Sequence, residues 1–117
     1  MSASEAGALG AIAFQLAAAL DVYERDAAAM VRVPFDPDLY NRVSHRMDEM
    51  RMYAASLPSV SVAWVEVMIR HFELLHGIWG GVQADGTDEA RLKELHARLR
   101  DAVQRLSHKC VQLMPSA

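Results

Sequence analysis

Apolar residues recur at steps of three and four along most of this chain, which is the spacing of one face of an α-helix. Proline and glycine interrupt this pattern and divide it into four amphipathic segments. None of the segments alternates apolar and polar residues as a half-buried strand does. The pattern therefore predicts an all-α protein built from four helices.

The first segment predicts a helix from about Ser4 to Met30. Gly7 and Gly10 lie in its first turns, where each costs about 1 kcal/mol relative to alanine. We therefore expect these turns to fray or to pack closely against a neighbour. The apolar face consists of Leu9, Ile12, Leu16, Leu20, Tyr23, Ala27 and Met30.

The second segment follows a break at residues 31–35, in which Pro34 disfavours helix in the residue before it. Asp36 can accept hydrogen bonds from free N–H groups, and Pro37 suits the first helical position. The second helix is therefore predicted to begin at Pro37 and to end near Leu57, before another proline. Its apolar face consists of Leu39, Val43, Met47, Met50, Ala54 and Leu57.

The third segment predicts a helix from Ser59 or Ser61 to about Trp79, ended by Gly80 and Gly81. A helix this broadly apolar needs cover on more than one side. Because a four-helix bundle buries about one face of each helix, we expect a second copy of the chain to cover the rest. The polar side is narrow and consists of Glu66, Arg70, Glu73 and Gly77.

The fourth segment predicts a helix from a Thr87 cap to about Met114. Its apolar stripe consists of Leu92, Leu95, Leu99, Val103, Leu106, Cys110 and Leu113. The connections are mostly short, and short links between long helices favour antiparallel neighbours. The sequence therefore predicts an antiparallel up-down-up-down four-helix bundle, with residues 1–117 forming a single domain.

The chain of 117 residues carries a formal net charge of −3. It shows no clustered basic excess, so we expect no nucleic-acid partner. The first basic residue, Arg25, follows the apolar part of the first segment, which therefore lacks the positive start of a secretory signal. We also expect its apolar run, from Ala6 to Leu20, to be too short and too polar at its flanks to span a membrane. The single cysteine, Cys110, allows no internal disulfide. These features favour a location in the cytoplasm.

Aromatic and methionine side chains on the third helix are the residues most typical of a binding surface. The candidate interface residues are Trp64, Met68, Phe72 and Trp79, together with Phe14, a large aromatic off the main face of the first helix. No motif of catalytic chemistry stands out. The preferred interpretation is a small non-enzymatic interaction or adaptor protein without a cofactor, which forms a homodimer through an apolar helix surface. The sequence also leaves open whether the chain has a further protein partner.

Histidines on the third helix leave a ligand-binding alternative open. Glu73 and His76 form one Glu-x-x-His motif, which di-iron bundles carry on two helices. The chain has no second copy of this motif. His71 lies in the apolar sector, where a hydrogen-bonded core histidine is usual. The alternative is therefore a metal, haem or small apolar ligand held through His71 and His76. Cys110, on the apolar stripe near a helix end, is expected to be an inert buried thiol.

His45 supports a second alternative. It is predicted to be exposed on the second helix, and in this respect the chain resembles the histidine phosphotransfer domains, which are four-helix bundles of about this length. That family carries a pattern close to His-x-Leu-Lys-Gly, whereas this chain reads His45-Arg46-Met47-Asp48-Glu49. Asp48 and Glu49 would repel a phosphate. The resemblance implies phosphoryl transfer through His45.

Overall fold

A computed structural model of the chain describes residues 3–33, 36–83 and 88–115. These residues form the helices α1 (Ala3–Arg32), α2 (Pro37–Ala55), α3 (Ser61–Gln83) and α4 (Glu89–Leu113), and a turn of 3₁₀ helix, Pro58–Val60, precedes α3. The described residues contain no strand. The predicted all-α fold with four helices is therefore confirmed.

Aspartate side chains begin two of the helices. Asp36 caps α2, because its carboxylate accepts hydrogen bonds at 3.0 and 3.3 Å from the amides of Asp38 and Leu39. Asp88 caps α4 by accepting a hydrogen bond at 3.1 Å from the amide three residues later. Thr87, the predicted cap of α4, lies outside the described residues. Each aspartate satisfies N–H donors that a helix start leaves without partners.

α3 runs past the glycine pair at which the sequence predicted its end. Gly80 and Gly81 lie inside the helix, which continues to Gln83. The prediction was wrong because glycine only weakens a helix interior and, unlike proline, keeps its N–H donor. α3 therefore has 23 residues, which corresponds to a length of about 35 Å.

α1 spans 30 residues, more than the roughly 20 that a membrane-spanning helix needs. The helix is therefore longer than the apolar run from Ala6 to Leu20, and the expectation that this run does not span a membrane stays a prediction. Of the described helices, α1 alone is long and apolar enough to cross a membrane, judged by length and composition. Core helices of soluble proteins and N-terminal signal sequences meet the same criterion. In this structure, one face of α1 packs into the core.

The start of α1 lies beside the end of α4, and the end of α3 lies beside the start of α4. Gly10, near the start of α1, faces Pro115, just after the end of α4. Gly77, near the end of α3, faces Leu95, near the start of α4. α4 is therefore antiparallel to both α1 and α3. The up-down-up-down order of all four helices stays a prediction, and these two antiparallel pairs agree with it.

The helices pack unevenly around the core. α1 packs against α2 and α4, and α3 packs against α4, but α2 and α3 touch each other far less. The bundle is consequently open along the edge between α2 and α3. The largest fully buried side chains of the core are Leu16, Leu20, Tyr23, Met30, Met50, Leu57, Leu74, Leu99 and Leu106.

Candidate functional site

The apolar positions of α3 fall into two stripes on different faces. The inner stripe is buried in the core and consists of Trp64, Val67, His71, Leu74 and Ile78. The outer stripe is exposed and consists of Val62, Val65, Ile69, Phe72, His76 and Trp79. Both stripes advance by alternating steps of three and four residues, so one helix carries two helical faces that could each pack against a neighbour.

The outer stripe has the spacing of a coiled-coil seam. Alternating steps of three and four mark the a and d positions of a heptad repeat, and those positions normally pack against a second helix. The stripe runs from Val62 to Trp79, a distance of about 26 Å at 1.5 Å per residue. Val62 is 83% exposed and Phe72 is 59% exposed. The described part of the chain therefore leaves this seam uncovered.

The polar edge of α3 beside the outer stripe carries a set of ion pairs. Arg70 donates hydrogen bonds to Glu66 at 3.1 Å and to Glu73 at 2.9 Å. The hydrogen bond to Glu73 is the main cause that raises the pKa of Arg70. Arg105 of α4 lies 3.5 Å from Glu66. Such pairs near the surface add little to stability, but both carboxylates are already paired, so a second helix on the outer stripe would meet no unpaired charge from them.

The structure places the five predicted interface residues in four settings. Phe72 and Trp79 belong to the outer stripe, and Met68 is half-buried and packs against the core. Trp64 packs inside the core, with only 7% of its surface exposed, so it takes no part in an exposed face. Phe14 is exposed on α1, which lies diagonally across the bundle from α3.

Sequence reasoning missed Val62, Val65 and Ile69, which complete the outer stripe. A signal for them was present, because their spacing continues the three-and-four pattern of Phe72 and Trp79. The sequence interpretation treats α3 as one broad apolar surface. Sorting its apolar positions into two separate heptads would have separated the two stripes, but spacing alone does not show which stripe faces the core.

A cleft of about 330 Å³ lies between α2 and α3, on the edge where these helices barely touch. α2 contributes two buried apolar side chains, Val43 and Met47, and α3 contributes His71, Phe72 and Leu75. Because Phe72 belongs both to the cleft and to the outer stripe, the two features adjoin each other. The rest of the lining comes from α2 and consists of Tyr40, Asn41, Ser44 and Asp48.

His71 is held in one orientation by a hydrogen bond in the core. Its Nδ1 atom lies 2.8 Å from the hydroxyl oxygen of Tyr23, and only 3% of its surface is exposed. Burial lowers the pKa of His71 to about 4 and raises the pKa of Tyr23. Both groups are therefore neutral near neutral pH. The tautomer of the neutral imidazole decides which group donates: with the ring proton on Nε2, Nδ1 accepts from the Tyr23 hydroxyl.

The three residues of the metal alternative do not meet. His71 bonds to Tyr23 in the core, His76 is exposed in the outer stripe, and Glu73 accepts a hydrogen bond from Arg70. Among the residues that the structure describes, no three His, Cys, Asp or Glu side chains come together as metal ligands. The Glu-x-x-His motif therefore lacks a third ligand in this part of the chain.

His45 is exposed on α2, as the phosphotransfer alternative requires. The two carboxylates that were expected to repel a phosphate are each paired with an arginine. Glu49 lies 3.0 Å from Arg46, and Asp48 lies 3.0 Å from Arg51. This pairing weakens the expected repulsion. Phosphoryl transfer through His45 stays a prediction.

A larger depression, of about 540 Å³, runs along the outer face of α4. All of its lining residues come from this one helix, so the described residues provide no opposite wall. Ligand sites normally enclose most of the ligand in a cleft, and this depression does not have that shape. Its lining consists of Asp101, Gln104, Arg105, His108, Lys109 and Gln112.

No family model, no curated protein and no solved structure matches this chain. The outer stripe of α3 and the cleft between α2 and α3 are therefore the features on which a functional assignment depends.

Proposed function

We propose that this protein is a non-enzymatic interaction module that works as a homodimer, with the outer stripe of α3 forming the contact between the two copies. The observation that carries this proposal is the unbroken heptad spacing of exposed side chains from Val62 to Trp79. Isolated exposed apolar residues are normal on a protein surface, but a contiguous apolar patch marks a contact site. Burying such a patch removes apolar surface from water, which is the main driving force of association.

A second copy of the chain is the partner that fits this stripe best. A two-fold symmetric interface needs a surface that is complementary to itself, and heptad stripes of this kind pack against one another as knobs into holes. The ion pairs of Arg70 with Glu66 and Glu73 also favour self-association. Because these charges are already satisfied within each chain, two copies can approach without burying an unpaired carboxylate.

The test is the molar mass in solution, measured by sedimentation equilibrium or light scattering over a dilution series. The chain has a mass of 13.0 kDa, and we expect the wild type to approach twice this value. Ile69→Glu places a charge in the middle of the outer stripe and should shift the equilibrium to the monomer, with helical circular dichroism retained.

Val111→Glu is the matched control for this experiment. Val111 is an exposed aliphatic residue of α4, with 57% of its surface accessible compared with 48% for Ile69. We expect the control variant to remain dimeric. A wild type that stays monomeric at every concentration, or equal dissociation of the two variants, contradicts the proposed homodimer.

The proposed location of this module is the cytoplasm. Its single cysteine, Cys110, is a buried free thiol, which is usual in a reducing compartment. Because α1 is long and apolar enough to cross a membrane, fractionation of cells that express the full chain is an informative test. Recovery in the soluble fraction is expected, and recovery in the membrane fraction after a high-salt wash would contradict this location.

A further inference from the structure

We infer that the cleft between α2 and α3 binds a small, uncharged, mainly apolar molecule that presents a carbonyl oxygen to Nε2 of His71. This site adjoins the proposed contact between two copies, because Phe72 belongs to both, but the inference does not rest on that proposal. It combines three observations: an imidazole nitrogen that forms no hydrogen bond among the described residues, a cleft of suitable size and lining, and the charges around it.

The donor is the Nε2–H group of His71. The inferred tautomer is the one in which the hydroxyl of Tyr23 donates to Nδ1 across their 2.8 Å contact. That buried hydroxyl forms no other hydrogen bond among the described residues, and a buried O–H group normally has an acceptor, so the neutral ring then carries its proton on Nε2. Nε2 itself forms no hydrogen bond among the described residues, and it is not one of the fully buried polar atoms without a partner, so it stays accessible from the cleft. Since His71 also lines the cleft, an acceptor bound there would complete its hydrogen bonding.

The size and lining of the cleft suit a small apolar molecule. Its volume of about 330 Å³ is at the lower end of the range of ligand pockets. Val43 and Met47 provide apolar contacts from α2, and Leu75 and the ring of Phe72 provide them from α3. Phe72 packs edge-on against His71, with ring centroids 5.2 Å apart. A flat apolar group can therefore lie beside Phe72 and reach the imidazole.

The charges around the cleft favour an uncharged ligand. The nine lining residues that the structure describes include no lysine or arginine, so a carboxylate or phosphate would lose its hydration without gaining an opposite charge from them. Asp48 is the one acidic residue among these nine, and Arg51 pairs with it at 3.0 Å. A cation bound in the cleft would meet the Nε2–H group, which is a hydrogen-bond donor and offers a cation no lone pair. A neutral carbonyl group accepts a hydrogen bond without these costs.

The experiment compares acetophenone with ethylbenzene, two probes of similar shape that differ in the carbonyl oxygen. Each is titrated into the ¹⁵N-labelled full chain, and the imidazole nitrogens and backbone amides are followed by NMR. We expect acetophenone to shift the Nε2 signal of His71 and the amides of the cleft. It should bind about tenfold more tightly than ethylbenzene, which is the typical contribution of one hydrogen bond.

Two variants separate the hydrogen bond from the shape of the cleft. His71→Phe keeps a ring but removes the donor, and should make the affinities for the two probes equal. Because this variant leaves Tyr23 without a partner and can fail to fold, Ser44→Leu provides a second test, since it fills the cleft from α2 and keeps His71. It should weaken both probes, whereas Gln104→Leu on the exposed face of α4 should change neither.

Several results would overturn the inference. Equal affinity of the wild type for the two probes would show that Nε2 contributes no hydrogen bond. Unchanged binding in Ser44→Leu would place the probes elsewhere on the protein. The absence of any shift at His71 and the cleft amides would mean that water alone occupies the cleft. These results are read from probe binding at His71 and the cleft amides, whereas the homodimer is tested by the molar mass in solution, so failure of the one proposal is distinguishable from failure of the other.

Discussion

The hydroxyl of Tyr23 and Nδ1 of His71 form a hydrogen bond of 2.8 Å that joins α1 to α3 across the middle of the bundle. The two helices lie diagonally opposite each other, and their aromatic rings meet at 5.6 Å with a tilt of 55°. A buried polar pair of this kind stabilises only when both members are satisfied. Here it also couples the tautomer of His71 to the hydroxyl, because Nδ1 accepts from Tyr23 only when the ring proton is on Nε2.

Removal of the Tyr23 hydroxyl should destabilise the fold. Tyr23→Phe keeps the ring but leaves Nδ1 of His71 buried without a partner, which typically costs about 1–3 kcal/mol. Urea denaturation followed by circular dichroism measures this change in the free energy of unfolding. Tyr53→Phe is the control, because Tyr53 is half-buried on α2 and the structure gives its hydroxyl no hydrogen bond among the described residues. An equal loss of unfolding free energy in both variants would mean that the Tyr23–His71 hydrogen bond adds nothing to the stability of the fold.

The fold should lose stability in mild acid because of His71. Its pKa is about 4 in the folded chain compared with an ordinary value of 6.5, so between these values the unfolded chain binds a proton that the folded chain does not. Stability is therefore complete above pH 6.5 and falls as the pH is lowered towards about 4, by up to roughly 1.4 kcal/mol per pH unit. Below that range His71 contributes no further slope.

The measurement is the free energy of unfolding in urea at several pH values between 6.5 and about 4. His71→Gln should flatten the slope while leaving an oxygen that can accept from Tyr23. His96 needs a separate control, because burial, followed by the nearby charge of Arg100, also lowers its pKa. His96→Gln should keep most of the wild-type slope. A His71→Gln variant with the full wild-type slope would assign the acid sensitivity to other groups.

The sequence was sufficient to predict the helices, because their signals are local. The apolar stripe of α4 and the start of α2 at Asp36 and Pro37 depend on residues within a few positions of each other. The end of α3 was missed for a related reason. Gly80 and Gly81 weaken a helix, but the spacing of nearby residues does not show whether the helix continues through them.

The site was harder to predict, because its contacts are not local. Tyr23 and His71 are 48 positions apart, and their meeting depends on how α1 and α3 are rotated within the bundle. The histidine was expected to be a hydrogen-bonded core residue, but its partner could not be named. The cleft depends on how loosely α2 packs against α3, and the spacing of residues along the sequence does not show how closely two helices pack. Trp64 shows the same limit, since spacing sorts the apolar positions of α3 into two stripes but does not show which stripe faces the core.

Two glycines of α1 should respond in opposite ways to alanine. A Cβ atom at Gly7 has no described neighbour within 4 Å, whereas at Gly10 it would lie 2.9 Å from Cδ of Pro115 and 3.2 Å from the carbonyl oxygen of Leu113. Gly7→Ala should stabilise the fold by up to about 1 kcal/mol, because alanine loses less backbone entropy in a helix. Gly10→Ala should destabilise it by about 1 kcal/mol or more, because overpacking separates α1 from the end of α4.

Thermal and urea denaturation of the two single variants measure these changes. The pair is matched, because the same substitution is made three residues apart in one helix. The predicted difference lies only in what each new methyl group meets. If Gly10→Ala is as stable as Gly7→Ala, the close approach of α1 to the end of α4 is not tight enough to constrain either helix.

Cys110 should be protected from thiol reagents as long as the bundle is folded. Its side chain is fully buried, and burial raises its pKa to about 11, so little of the reactive thiolate exists near neutral pH. Ellman's reagent should therefore react slowly with the native chain and rapidly in denaturant.

The Tyr23→Phe variant provides a sharper test of the buried thiol of Cys110. A less stable bundle exposes this thiol more often when opening is faster than modification. Its labelling rate should rise by the same factor as the unfolding equilibrium constant, about tenfold for each 1.4 kcal/mol of stability lost in urea, whereas Tyr53→Phe should label at the wild-type rate. Rapid labelling of the native wild type would contradict the buried position of Cys110 in the core.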